Sequence, residues 1–153
     1  MVIEKLTRLT LQRYWRFSRS LTVGAQGVVI DRDNRVLLIR HTYRPGWHFP
    51  GGGVEKNETV LTALNRELYE EARVTCDMTP ELFGLYANFR HFPSDHVSLF
   101  IIRHWHQPEP PKPNREIAEH GFFKYTELPA DINQPTQRRL VEIFDKVPRA
   151  EIW

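Results

Sequence analysis

One cysteine, Cys76, is too few for an internal disulfide, and no apolar run approaches the roughly 18 residues needed to cross a bilayer. The N-terminus lacks the central apolar segment of a secretion signal, so a cytoplasmic location is the expectation. Net charge is only +2, too little to argue for nucleic acid by itself, and no internal repeat is present. What the chain does have is the balance of an ordinary domain. At 153 residues, with 41% apolar and 26% charged residues, it is long enough to bury one core and too short for two. The charge it carries is unevenly placed: Lys5, Arg8, Arg13, Arg16 and Arg19 stand against Glu4 alone in residues 1–20, leaving the remainder slightly acidic.

The most informative stretch is the glycine turn Gly51-Gly52-Gly53-Val54-Glu55 running into an acidic helix. Asn57 is the expected N-cap, which puts Glu58 in the first turn, where the helix dipole favours a carboxylate. Leu61, Leu64, Leu68 and Ala72 recur at helical spacing and predict one buried stripe. Glu67, Glu70 and Glu71, at i, i+3 and i+4, converge on the face beside it. Three carboxylates that close repel one another and invite a cation, and hard oxygen donors select Mg²⁺, Mn²⁺ or Ca²⁺ rather than zinc. A solvated acidic face is the plainer alternative for the cluster taken alone.

The cluster is not alone. Gly52, five residues, Glu58, seven residues and then Arg66-Glu67-Leu68-Tyr69-Glu70-Glu71-Ala72-Arg73-Val74 resembles the Nudix box of the Nudix hydrolase superfamily, with one departure: Arg73 stands where that family has glycine. Trp47-His48-Phe49-Pro50 before the box, and Glu116-Ile117-Ala118-Glu119 before Phe122-Phe123 and Glu127-Leu128-Pro129, are similar to Nudix sequence as well. The resemblance implies an α/β fold, the Nudix α/β/α sandwich with a mixed β-sheet between helices. It also implies hydrolysis of the phosphoanhydride bond of a nucleoside diphosphate linked to a group X. Mg²⁺ or Mn²⁺ is then expected on Gly51 (through its carbonyl), Glu67, Glu70 and Glu71, with Glu116 as a further carboxylate. Glu67 or Glu116 is the expected general base, Arg66 the residue that orients the glutamates, and Glu55 and Glu58 braces of the loop; Glu119 is a weaker candidate than Glu116. Arginine at position 73 costs about 1 kcal/mol if the left-handed turn is kept, and removes no metal ligand.

Rival readings stay open at this point. Nucleoside triphosphates, dinucleoside polyphosphates and the 5′ triphosphate of RNA are alternative substrates. A non-catalytic nucleotide sensor and a calcium-binding structural domain are alternatives of a different kind.

The remaining chain divides into a basic amphipathic segment (1–20), the main domain (21–147) and a tail (148–153) whose Ile152 and Trp153 are expected to dock on a surface or a second subunit. Ile3, Leu6, Leu9, Tyr14 and Phe17 suit packing across the domain or in a homodimer, with membrane or RNA contact the less common fate. Leu21–Ile30 and Arg35–Arg40 read as a hairpin, with Gly24 and Gly27 marking a bulge or a close approach. His41–Pro50 reads as a loop in which Tyr43, Trp47 or Phe49 is available to stack on a base, and Arg40 and Arg44 to meet phosphate. Val74–Asn88 and His96–Trp105 read as two long strands, with Asn88, Arg90, His91 and His96 as candidate specificity residues at the turn between them. His104 and His106 read as surface residues. A short strand over Gly121–Tyr125 and a closing helix over Gln134–Lys146, with Leu140, Val141 and Phe144 inward, complete the order.

Overall fold

The computed structural model describes residues 20–90 and 92–153. The expectations for the basic segment before Ser20, and for His91, therefore lie outside the described residues.

Strand β1 (Thr22–Val29) is central, pairing antiparallel with β4 (Gly51–Gly53) on one side and parallel with β7 (Asp95–Ile102) on the other. Antiparallel β6 (Glu81–Ala87) extends that sheet to the order β4-β1-β7-β6. A second sheet runs β3-β2-β9, with β2 (Arg35–His41) between β3 (Trp47–His48) and β9 (Ile117–Lys124). A short ladder joins β5 (Thr75–Cys76) to β8 (Trp105–His106). Helix α1 (Val60–Ala72) and helix α2 (Gln134–Phe144) cover opposite faces, giving the expected sandwich.

The period of two in the strands builds both cores. Ala25 and Val29 of β1 point to α1 and meet Ala63, Leu64, Leu68 and Ala72, while Val28 points the other way, towards Leu140 of α2. Gly27 lies on the α1 face without a bulge. An added Cβ there would sit 2.8 Å from Ile102 and 3.0 Å from Leu68, so the glycine lets the helix lie close on the sheet.

Several expectations needed correction. The hairpin Leu21–Arg40 exists only as the single bridge Ile30–Val36, because β1 and β2 enter different sheets. Val74–Asn88 is broken at Asp77–Pro80 into β5 and β6, as proline and turn residues there require. His41–Pro50 contains β3, and both Trp47 and Phe49 are buried in the core, which leaves Tyr43 as the exposed ring of that segment. Leu61 is exposed and Ala63 takes its place in the stripe. Helix α2 buries Arg139 and Glu142 beside Leu140, with Val141 only partly covered, because the two charges satisfy each other.

Candidate active site

The turn into α1 differs in detail from its sequence signals. Thr59, not Asn57, is the N-cap, its hydroxyl accepting from the Thr62 N–H at 3.1 Å. Asn57 instead takes φ = 65° within the turn, a conformation asparagine tolerates. Glu58 precedes the helix and binds the Glu55 N–H at 2.9 Å, bracing the loop as expected of it.

Arg66 reaches back from α1 and closes this turn. Its Nε and one terminal nitrogen donate to the two carboxylate oxygens of Glu58 at 2.9 and 3.0 Å, and it also donates to the Gly53 carbonyl at 3.1 Å. The other terminal nitrogen donates to Glu67 at 2.7 Å and lies 3.4 Å from Glu70. A planar fork with fixed donors is needed for this, and lysine cannot supply it. The Glu58 carboxyl is held below its usual range by the Arg66 hydrogen bonds first, and then by the Glu55 N–H.

Glu67 points at the glycine turn. A Cβ added to Gly52 would lie 2.4 Å from one Glu67 oxygen and 2.6 Å from its carboxyl carbon, so only glycine leaves space for the carboxylate. Burial raises the Glu67 pKa, the Arg66 hydrogen bond opposes the rise, and the charges of Glu71 and Glu70 add to it.

Glu71 is the buried member of the trio. One oxygen accepts from the Gly51 N–H at 2.7 Å and the other meets Nε2 of His41 at 2.9 Å. His41 is buried at the end of β2, where the register against β9 shifts between Arg40 and His41. Its Nδ1 accepts from Arg44 Nε at 3.1 Å, so Nε2 carries the proton and donates to Glu71. Nothing in the sequence marked His41: it ends an apolar strand, and its partner is 30 residues away.

Glu70 is exposed on the rim, and Glu116 is exposed on the bend entering β9, where its carbonyl accepts from the Thr42 N–H at 2.8 Å. Burial raises the Tyr43 pKa, Arg44 opposes the rise, and the charges of Glu71, Glu116 and Glu67 add to it. Glu119 does not join them, pairing with Arg40 on the β9 ladder. Arg40 also pairs with Asp131 and lies over Trp47, so it is a surface clamp rather than a phosphate contact.

Among the described residues, no three His, Cys, Asp or Glu side chains are already gathered tightly enough to hold a metal ion. The fit to a divalent cation lies in the donors: hard oxygens on one helix face, with the pKa of Glu67 raised by burial first and then by its neighbours' charge, and Glu70 exposed on the rim.

The helix ends as the unusual Arg73 demands. Arg73 adopts φ = 55° and ψ = 26°, its N–H returning to Leu68 and Tyr69, and its guanidinium lies 5.0 Å from the Tyr69 ring. Gln107, after β8, donates to the Ala72 carbonyl at 2.7 Å and satisfies a further free end group.

A cavity of about 390 Å³ is lined by Gln26, Arg44, Asn88, Arg90, Asn133 and Trp153 among others, with no Asp or Glu among the described residues of its lining. Arg44 belongs both here and to the carboxylate site, since it borders the cavity and holds His41. Gln26, paired in register with Gly51, has its side-chain oxygen buried without a partner. His48 is also in the wall. Burial and the charge of Arg44 lower its pKa to about 4, although its bond to the Pro45 carbonyl opposes the shift. Asn88 and Arg90 were expected near a pocket and are there, whereas His96 turns to Ser94 and Phe89. His106 pairs with Asp77 on the surface.

A family model described as the NUDIX domain matches residues 20–144. A MutT-like protein of Streptomyces ambofaciens is 39% identical over 67 residues, which cover 44% of this chain and 43% of that protein. An RNA pyrophosphohydrolase of Histophilus somni (strain 2336) is 32% identical over 85 residues, covering 56% of this chain and 35% of that one. The chain thus spans less than half the length of these curated relatives. In fold it is similar to the MutT NUDIX hydrolase of Burkholderia pseudomallei, with a TM-score of 0.69 and 23% identity over 81% of this chain and 98% of that one. No helix among the described residues is long and apolar enough to cross a membrane.

Proposed function

The chain belongs to the NUDIX domain family, and from that premise we propose that it is a divalent-metal-dependent hydrolase cleaving the phosphoanhydride of a nucleoside diphosphate linked to X, acting in the cytoplasm. The observation that carries the proposal is the seating of Glu67 against Gly52, beside Glu71 on the Gly51 N–H, with Glu71 linked through His41 and Arg44 to a cavity of nucleotide size.

Glu67, Glu70 and Glu71, with the Gly51 carbonyl and Glu116, are the residues to hold Mg²⁺ or Mn²⁺. The ion's contribution is to offset the charge of the diphosphate and polarise it. Glu67 is the better-placed general base. Its pKa, raised by burial, makes it a stronger proton acceptor than an ordinary carboxylate. Glu116 is the second candidate. Arg66 is a positioning residue, spending its donors on Glu58, Glu67, Glu70 and Gly53 rather than on substrate. Arg44 and Arg90 suit the phosphates, and the Gln26 amide, its oxygen without a partner, suits the edge of a base.

Phosphate release across a panel of nucleotides, with and without a coupled phosphatase, in Mg²⁺ and in Mn²⁺, tests this. Turnover of one substrate class that vanishes in Glu70→Gln supports hydrolysis and names the class. Tight nucleotide binding with no turnover of any compound supports a sensor instead.

A further inference from the structure

Residues 148–153 lie beyond the stretch matched by the family model, yet Ala150 to Trp153 are hydrogen-bonded into the domain. The Ala87 N–H donates to the Glu151 carbonyl at 2.8 Å and the Trp153 N–H to the Ala87 carbonyl at 2.9 Å, so the segment runs parallel to the end of β6 as an added edge. Arg139 donates to the Ile152 carbonyl at 3.0 Å, Arg138 to the Trp153 carbonyl at 2.9 Å, and the Ala150 N–H to Glu142 at 2.9 Å.

These bonds fix the indole. The Trp153 ring meets Tyr86 edge-to-face at 5.5 Å between centroids, and the Arg139 guanidinium, itself 1% exposed in its side chain, lies 5.5 Å from the indole centre. A flexible tail has no need of a buried arginine to orient its aromatic ring. Trp153 remains partly exposed, and what it faces is the cavity shared with Gln26, Asn88 and Asn133. An aromatic plane held rigidly in the same cavity wall as the unpartnered Gln26 amide oxygen is an arrangement that stacks a planar heterocycle and reads its edge.

We propose that Ile152 and Trp153 form a wall of the substrate cavity, and that Trp153 is a specificity-determining residue that stacks on the nucleobase. This rests on the reading that the cavity receives the nucleoside of a hydrolysed nucleotide. Binding there loses stacking when the ring is removed, and gains nothing from an aliphatic side chain of similar bulk.

The test compares wild type with Trp153→Phe and Trp153→Leu, each checked by circular dichroism melting. Substrates are the four ribonucleoside triphosphates and ADP-ribose, and binding is read from quenching of tryptophan fluorescence by nucleoside monophosphates without metal. Trp153→Leu is expected to raise KM about tenfold, to change kcat much less, and to abolish the quenching, with Trp153→Phe retaining most of the affinity. A folded Trp153→Leu protein with wild-type KM, base preference and quenching overturns the proposal and leaves the hydrolase reading standing. If Trp153→Leu does not fold, unchanged quenching in the Trp153→Phe protein overturns it as well. A wild-type protein that neither turns over nor binds any of these nucleotides overturns the hydrolase reading itself, and this inference with it.

Discussion

Gly52→Ala separates the geometry of the proposed base from the stability of the turn that carries it. The new methyl would lie 2.4 and 2.9 Å from the two Glu67 oxygens and 2.6 Å from the carbon between them, all well inside contact distance. Glu67 must swing away, giving up its 2.7 Å hydrogen bond to Arg66, and a charge-assisted bond of this kind is worth about 1.5–3 kcal/mol. Part of that returns when Glu67 meets water at the rim, so the melting temperature should fall by only a few degrees. Turnover should fall far more, because misplacing a reacting group by about 1 Å costs roughly a hundredfold. Gly53→Ala is the matched control: an added Cβ there meets nothing within 4 Å, and it removes the same backbone freedom one residue further on. The assay is phosphate release at saturating substrate in Mg²⁺, alongside thermal melts of both variants. Equal turnover of Gly52→Ala and wild type, or equal losses in Gly52→Ala and Gly53→Ala, would refute the placement of Glu67.

Three further outcomes follow from the geometry. His41→Ala removes the donor that orients Glu71, and such support typically carries about 10–100-fold in metal affinity; a Mn²⁺ titration followed by electron paramagnetic resonance should show that weakening, and unchanged affinity would remove His41 from the site. Arg73→Gly should raise stability by about 0.5–1 kcal/mol by relieving φ = 55°, less whatever the contact with Tyr69 contributes, and should leave activity alone; a lower melting temperature would mean the ring contact outweighs the strain. His48 stays neutral in the folded protein down to about pH 4, whereas the unfolded chain protonates it at the ordinary 6.5. Its contribution is therefore complete above pH 6.5 and is lost as pH falls towards 4, reaching about 3 kcal/mol; melts of wild type and His48→Gln from pH 7 to 4.5 should converge or cross, and parallel curves would contradict the shift.

The helix and its carboxylates were legible because their signals are local. Glu67, Glu70 and Glu71 share a face by helical spacing alone, and glycine followed by an acidic amphipathic run announces a turn into a helix. The cap was misread because Asn57 and Thr59 are both good caps, and the choice between them depends on where the chain leaves β4. What the sequence concealed was the long-range wiring. His41 meets Glu71 only because β2 and α1 pack together, and β1 abandons β2 for β7, more than 70 residues away, because its parallel partner offers a full eight-residue register. The α2 face was misjudged for the same reason. Arg139 and Glu142 look like a solvated i, i+3 pair until β6 and the tail close over them.

Two arginines divide the labour of this site between its helices. Arg66, with a side chain 26% exposed, belongs to α1 and ties the carboxylates to the glycine turn. Arg139, 1% exposed, belongs to α2 and ties the cavity wall to that helix through Ile152. Removing a guanidinium from water is costly, so Arg139 persists only because Glu142 offsets its charge and the Tyr86 ring, 4.3 Å from it, covers its face. Glu142 is in turn shared with the Tyr86 hydroxyl and the Ala150 N–H, so wall, strand and helix are one hydrogen-bonded unit. The carboxylate unit and the wall unit share neither a helix nor a charged partner, and what joins them is the sheet and Arg44. On the proposed reading, a change in the wall is expected to alter what the cavity holds without moving the carboxylates, and a change at Arg66 to disturb the carboxylates while leaving the cavity as it was. Among the described residues, Arg44 and His48 both line the cavity and meet His41, the residue that bonds Glu71.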